Sequence, residues 1–207
     1  MKTCLVGCGG IAAVHGRVLT SGIDTEFVAA ADIKLEKAQS YAENFHTKPY
    51  PSLESMLEAE KPDVLHICTP HYLHVPMAIY SLERNINVFM EKPPAISFDQ
   101  LEELKKAAAK SDAQLGFCYQ NRYNASIRAA KDLIDSGKSG KVLGARAFVT
   151  WCRGAAYYTE SGWRGSLKTE GGGVLINQSV HTQDLLCFLL GDPTAVDATM
   201  TNHHLKD

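Results

Sequence analysis

The sequence predicts an α/β protein whose first 120 residues form a doubly wound parallel sheet, followed by a second region in which the pattern changes. Three observations carry this. Short runs of almost uninterrupted apolar residues alternate with amphipathic stretches of helical period up to about residue 120. Several of the apolar runs stop at glycine or proline, at Gly7, Thr69-Pro70 and Pro93-Pro94. Strands that are apolar on both faces and separated by helices belong to a parallel sheet covered on both sides.

The elements follow in order. Thr3–Val6 is an apolar run ended by Gly7, and Ile11–Thr20 has helical spacing. Glu26–Ala31 reads as a buried strand and Leu35–Phe45 as a charged amphipathic helix. Asp63–Cys68 is a strand set between Pro62 and Thr69-Pro70, and Val75–Arg84 is helical. Asn87–Met90 is stopped by Pro93-Pro94. Ser97 is placed to cap a helix over Asp99–Lys110, where its hydroxyl can accept from a free backbone N–H. Gln114–Cys118 closes the series.

Beyond residue 120, Tyr123–Ser136 reads as a helix closed by Gly137, and Val142–Trp151 as a long strand rich in β-branched and aromatic residues. Arg153–Lys168 has the composition of a long surface loop. Gly171–Gly173 leads into an apolar helix over Leu175–Leu190, which Gly191-Asp192-Pro193 ends, and Val196–Thr201 is a further candidate strand. The expected division is 1–120 and 121–207. Two strands are too few to close a second core, since a two-stranded sheet is marginal alone. Either the chain is a truncated form of something longer or a partner supplies strands.

A net charge of −2 with no run of basic residues gives no electrostatic reason to expect nucleic acid or an anionic membrane. The six cysteines lie far apart without CxxC pairs, the usage of reduced core thiols. The N-terminal apolar run is cut short by glycine, unlike a signal peptide, and no apolar stretch approaches a membrane span. The expectation is a cytoplasmic protein. His203-His204 has no spaced ligand partner, so no metal site is expected.

Gly7-Cys8-Gly9-Gly10-Ile11-Ala12 fits G-x-G-x-x-A between a strand and a helix. In such a turn Gly7 permits the bend, Gly9 and Gly10 let backbone approach a pyrophosphate, and a small Ala12 lets helix and strand pack. N–H groups at the start of the helix near Ile11 then face the phosphates. Asp32 stands at the end of the second strand, about 20 residues on, where an acid accepts from a ribose diol. Its rival role is a helix N-cap. The motif in this context is a Rossmann fingerprint for a nicotinamide dinucleotide. An acid at Asp32 repels a 2′-phosphate and favours NAD over NADP, a preference that Lys34 nearby weakens.

Three further segments stand out: Thr69-Pro70-His71-Tyr72-Leu73-His74, Glu91-Lys92-Pro93, and Gly171 through His181. In series with the glycine turn they resemble the Gfo/Idh/MocA family of oxidoreductases along nearly the whole chain. The resemblance implies a Rossmann domain followed by an α+β domain with an open, mostly antiparallel sheet that carries substrate contacts and a homo-oligomer surface. It implies an NAD(P)-dependent oxidoreductase moving hydride between nicotinamide and a hydroxyl carbon of a sugar or polyol, or of a nucleotide sugar. Lys92 matches the family lysine at the reacting hydroxyl and nicotinamide ribose, and His181 the general acid/base. Thr69, Pro70 and His74 match the loop beside the riboses. Glu91 matches a cofactor-contacting position, and Asn121 lies in the segment bordering the nicotinamide.

The chemistry is coherent on its own terms. Oxidising an alcohol needs a base for the hydroxyl proton, and histidine has the intrinsic pKa for it. A lysine ammonium stabilises developing alkoxide charge. Lys92 could equally be an ordinary strand-end lysine, and His181 a helix histidine paired with Asp184. Asn177 stands where many family members carry Asp. At i and i+4 it would share a helix face with His181 and could touch a substrate hydroxyl, but an amide accepts no proton. Tyr158, Trp163 and Arg164, with Tyr157, suit stacking on a sugar ring and binding its hydroxyls, although such a loop can also be tied down by its own aromatics. Two further readings stay open: a glycosidase of the same family that uses NAD for transient oxidation, and a truncated, non-catalytic NAD-binding protein.

Overall fold

The computed structural model describes residues 1–22 and 24–201. The chain divides into two compact units, Met1–Cys118 with Lys168–Gly171, and Tyr119–Leu167 with Gly172–Asp207.

The first unit contains β1 (Lys2–Val6), α1 (Ala12–Leu19), β2 (Glu26–Ala31), α2 (Leu35–Phe45), β3 (Lys48–Tyr50), α3 (Leu53–Glu60), β4 (Val64–Ile67), α4 (His74–Leu82), β5 (Asn87–Met90), α5 (Phe98–Lys110) and β6 (Leu115–Phe117). The six strands form one sheet in the order β3-β2-β1-β4-β5-β6, and every pairing is parallel. Its two faces are read directly from side-chain alternation. Cys4, Val6, Ala29, Ala31, Leu65 and Ile67 face α3, α4 and α5 through Leu53, Met56, Val75, Ala78, Leu82 and Leu104. Leu5 and Ala30 face the other way, against Ala12 of α1 and Tyr41 of α2. This is the doubly wound arrangement expected. Strand order reverses between β1 and β4, and the crevice outside their carboxyl ends is where such sheets bind ligands.

One strand and one helix come in addition to those read from the sequence. β3 has only three residues, one of them Pro49, and sits at the sheet edge, where a missing N–H is tolerated. α3 follows it, capped by Ser52, whose side chain accepts from Ser55 N at 3.1 Å. Ser97 caps α5 as expected, accepting from Gln100 N at 3.2 Å.

The second unit contains α6 (Ala125–Asp135), α7 (Ala155–Thr159), α8 (Val174–Asn177) and α9 (Val180–Leu190). Here the structure corrects three expectations. Val142–Trp151 and Val196–Thr201 form no strands, and among the described residues this unit has no sheet. β propensity is a packing preference more than a backbone one. Leu143 is 92% and Phe148 82% exposed, and among the described residues no strand pairs with either segment. The expected loop Arg153–Lys168 contains α7. The expected helix Leu175–Leu190 is broken at Gln178-Ser179, where Ser179 N reaches back to Val174 O at 2.8 Å, one residue too far for the α-helical ladder. The His203-His204 pair lies outside the described residues.

No helix among the described residues is long and apolar enough to cross a membrane. None of the six cysteines forms a disulfide.

Candidate functional site

The crevice is built by three loops of the first unit. Gly7, at φ +93°, turns the chain sharply at the end of β1. A Cβ there would stand 2.8 Å from Cys68 C, Cys68 O and Thr69 N, so β1 and the end of β4 approach too closely for any side chain. At Gly9 and Gly10 an added Cβ would meet nothing within 4 Å. The turn is therefore pressed against the sheet on one side and open on the other. Ala12 is fully buried between β1, β2 and α2, and Tyr41 Oη donates to its carbonyl at 2.8 Å. No side chain caps the start of α1, where Ile11 is the N-cap residue, so its first N–H groups are left for a ligand or water.

Asp32 holds this turn. Its Oδ2 accepts from Cys8 N at 2.9 Å and its Oδ1 from Lys34 N at 2.9 Å. Lys34, not Asp32, is the N-cap residue of α2, which removes the simplest rival role. Each carboxylate oxygen keeps a lone pair for a further donor. Ile33 beside it is 83% exposed, an apolar side chain that sequence reasoning passed over because its neighbour carried the signal.

The second loop follows β4. Thr69 Oγ1 donates to Met77 Sδ at 3.6 Å, and Pro70 introduces a one-turn 3-10 helix, His71–Leu73. The third follows β5 and carries Glu91 and Lys92, with a cis peptide between Lys92 and Pro93. His74, 1% exposed, joins these two loops: Nδ1 meets Pro93 O and Nε2 meets Thr69 O, each at 2.9 Å. Burial pushes the His74 pKa down, against the pull of the two carbonyls. A neutral imidazole has one N–H, so His74 donates to one of these two carbonyls at a time. Glu91 is 8% exposed, bonded to His15 and to Lys92 N. Segment Lys168–Gly171 packs on this unit, with His71 Nδ1 at 2.9 Å from Glu170 O and Tyr72 N donating to Thr169 O. A Cβ at Gly171, φ +87°, would stand 2.5 Å from Ile96 Cβ.

In the second unit His181 is 8% exposed on the first turn of α9, with the Tyr119 ring edge-on at 6.2 Å. Asp184 pairs with Arg122 through both carboxylate oxygens, so it anchors α9 to the 3-10 turn Gln120–Tyr123 that contains Asn121. The Asp184 carboxylate is therefore committed to Arg122. Asn177 is buried and donates to Tyr157 Oη at 3.2 Å. Because of the break at Gln178-Ser179, Asn177 and His181 lie on different helices. Gln178 itself is 3% exposed, and neither of its amide atoms has a partner among the described residues. The Arg164 guanidinium lies 4.4 Å from the Tyr157 ring and 4.5 Å from Trp163, and Tyr158 packs edge-on against Tyr157 at 5.1 Å. The loop aromatics and arginines are stacked on one another.

Comparison with known proteins decides the family. Residues 1–119 match the model of an oxidoreductase family with an NAD-binding Rossmann fold, and residues 127–206 match the Gfo/Idh/MocA C-terminal domain. The chain belongs to the Gfo/Idh/MocA family. Among curated Gfo/Idh/MocA relatives, D-glucoside 3-dehydrogenase of Escherichia coli is 28% identical over 93% of this chain and 55% of its own. The 1,5-anhydro-D-fructose reductase of Ensifer adhaerens is 30% identical over 96% of this chain and 59% of its own. The crystal structure of the WlbA dehydrogenase of Chromobacterium violaceum with NADH and UDP-GlcNAcA superposes with a TM-score of 0.88 at 32% identity, covering 92% of this chain and 55% of that one. The chain thus spans a little over half the length of these relatives. The cradle of Gly7, Gly9, Gly10, Ala12 and Asp32 fits the nicotinamide dinucleotide that the family binds.

Proposed function

We propose that this chain binds NAD across Gly7–Ala12 and Asp32, and contributes Lys92 and His181 to hydride transfer at a hydroxyl carbon of a sugar, polyol or nucleotide sugar. The observation that carries the reading is Asp32, tied to the glycine turn through Cys8 N at 2.9 Å. A carboxylate fixed at that place prefers a ribose diol to a 2′-phosphate, so NAD is favoured over NADP. Thr69, Pro70 and Asn121 border the riboses and nicotinamide in this reading. His74 and Glu91 support the loops that do so.

NAD, when bound, supplies the hydride acceptor. His181 takes the hydroxyl proton on its imidazole, and the Lys92 ammonium stabilises the oxygen as negative charge develops. Asn177 offers an amide to a substrate hydroxyl and carries no proton, which leaves the base role to His181. Tyr158, Trp163 and Arg164 present aromatic and cationic surface to a sugar. The nucleotide-sugar branch draws support from the WlbA likeness at 32% identity. Six cysteines without a disulfide fit the reducing conditions of a cytoplasm, and exposed apolar residues such as Phe148 and Val196 fit self-association.

A parallel fluorescence titration with NADH and NADPH tests the cofactor site. NADH binds more tightly, and Asp32→Ala abolishes the preference. Equal affinity for both cofactors in the unsubstituted chain would sink it. A sugar screen then follows with Lys92→Ala and His181→Ala, each expected to lower turnover at least a hundredfold. Release of free sugar without net NADH would transfer the reading to an NAD-dependent glycosidase.

A further inference from the structure

Beneath the crevice, three side chains form a chain of hydrogen bonds that ends at the backbone of Lys92. His66 of β4 meets His15 of α1 through their Nδ1 atoms at 2.9 Å. His15 Nε2 meets Glu91 Oε1 at 3.1 Å, and Glu91 Oε2 accepts from Lys92 N at 3.2 Å. His15 is 7% and Glu91 8% exposed. The Phe89 ring packs against both imidazoles. The titratable groups around the carboxylate are His15 and Lys92, the Cys118 thiol, which donates to it just beyond β6, and the buried Cys68 and His74 side chains.

The directions of these bonds are fixed by elementary chemistry. Although desolvation works against its charge, the bonds from His15 and Cys118 and the nearby Lys92 hold Glu91 below the usual carboxylate range. A carboxylate only accepts, so His15 Nε2 carries a proton and donates. Burial and the neighbouring His15 push His66 down to about 4, so it is neutral at physiological pH. One of the two facing Nδ1 atoms then donates to the other.

We propose that His15 is a positioning residue for Lys92, acting through Glu91; this rests on the reading of Lys92 given under Proposed function. His15 lies on α1, the helix whose first turn faces the cofactor phosphates in that reading. It also holds the carboxylate that fixes the backbone of the lysine at the reacting hydroxyl. The contact therefore couples the phosphate end of the site to the reacting end through a single imidazole. Without His15, Glu91 is a buried carboxylate lacking its main donor. Burial then disfavours its ionised form, and the carboxyl is no longer oriented towards Lys92 N.

The test reads Lys92 directly and needs no substrate. The 207-residue chain and its His15→Leu and His15→Gln variants are acetylated under competitive conditions, and labelling of Lys92 relative to exposed Lys106 is followed by peptide mass spectrometry. Leucine fills the space without a donor, whereas glutamine places an amide N–H near the position of Nε2. Lys92 labelling is expected to change at least fivefold in His15→Leu and to return to within twofold of the unsubstituted chain in His15→Gln. A change below fivefold in the leucine variant, or equal changes in both, overturns the proposal, because packing alone would not distinguish them. If neither variant folds, the imidazole NMR signals of the unsubstituted chain decide: a His15 Nε2 without a proton overturns it. So does a stoichiometric divalent ion by elemental analysis, since the His15, Glu91 and Cys118 donors lie within 4.8 Å of one another and an ion there would replace the bond. NADH titration of the same samples is independent. If the unsubstituted chain binds no NADH, the cofactor reading fails while the labelling comparison still stands.

Discussion

At the scale of single residues, the crevice depends on places where an atom is missing. Gly7 combines φ +93° with a Cβ position 2.8 Å from the backbone of Cys68 and Thr69. Backbone cannot swing aside as a side-chain tip can. A left-handed alanine and an overpacked contact together cost about 3 kcal/mol. Gly7→Ala is therefore expected to lower the melting temperature by roughly 10 °C, given about 4 °C per kcal/mol for a domain of this size, and to weaken NADH binding at least tenfold. Unchanged affinity in a calorimetric titration would show that the close approach does not shape the cofactor site. Gly7 and Asp32 were legible in the sequence because the strand–glycine turn–helix pattern is local and their spacing follows from it. The His66–His15–Glu91 line was not, since its members are 51 and 76 residues apart in the chain and meet only once the sheet is assembled.

At the scale of elements, what the sequence could show depended on whether an element needs a distant partner. Helices α2 and α5 announce themselves through amphipathic period and, for α5, through the Ser97 cap. Ser97→Ala removes the acceptor for Gln100 N and is expected to cost about 1 kcal/mol, read as a shift in denaturant midpoint at constant slope. Gly16 makes the opposite case. Alanine is the better helix former, yet its Cβ would lie 2.5 Å from Tyr41 Oη and 2.7 Å from Phe45 Cζ. Tyr41 cannot retreat without breaking its bond to Ala12 O. Gly16→Ala is therefore expected to destabilise by about 1 kcal/mol despite its gain in propensity, and a stabilised variant would show that the α1–α2 contact is loose. Val142–Trp151 carries strand composition without a strand for the reason that β3 carries a strand without the composition. Pairing decides, and pairing is not local. Val142–Trp151 and Val196–Thr201 should accordingly exchange their amide hydrogens like an unstructured peptide, while β1, β4 and β5 stay protected. Protection across residues 142–151 would mean that they find a strand partner in solution.

At the scale of the whole molecule, the buried titratable groups give stability a definite dependence on pH. Glu60 lies 5% exposed at the end of α3 and receives Tyr50 Oη at 2.5 Å and the Lys48 and Lys2 ammonium groups at 2.9 and 3.2 Å. The Tyr50 hydroxyl above all, then Lys48, hold its pKa down at about 2, against an ordinary value of 4.5. A depressed carboxyl contributes stability that is full above 4.5 and is lost as pH falls towards 2. His66 works in the same direction from a higher pH. Burial lowers it from 6.5 to about 4, so below 6.5 the unfolded chain takes up a proton that the folded chain refuses. Stability is then lost between 6.5 and 4, and His74, lowered as well, adds to that loss. Each of the two larger shifts is worth roughly 2 kcal/mol once solvent screening is allowed for. Acid unfolding should therefore begin just below neutrality and continue in a second stage below pH 4.5. Replacing His66 by Gln removes a proton-binding site from the unfolded chain and should flatten the first stage. Glu60→Gln should flatten the second and lower stability at pH 7, because two ammonium groups lose their carboxylate. Equilibrium denaturation of the three proteins from pH 7 to pH 3 separates the contributions. A first stage that persists unchanged in His66→Gln would assign it to His74 or to another histidine, and would remove His66 as the acid-sensitive point of the sheet.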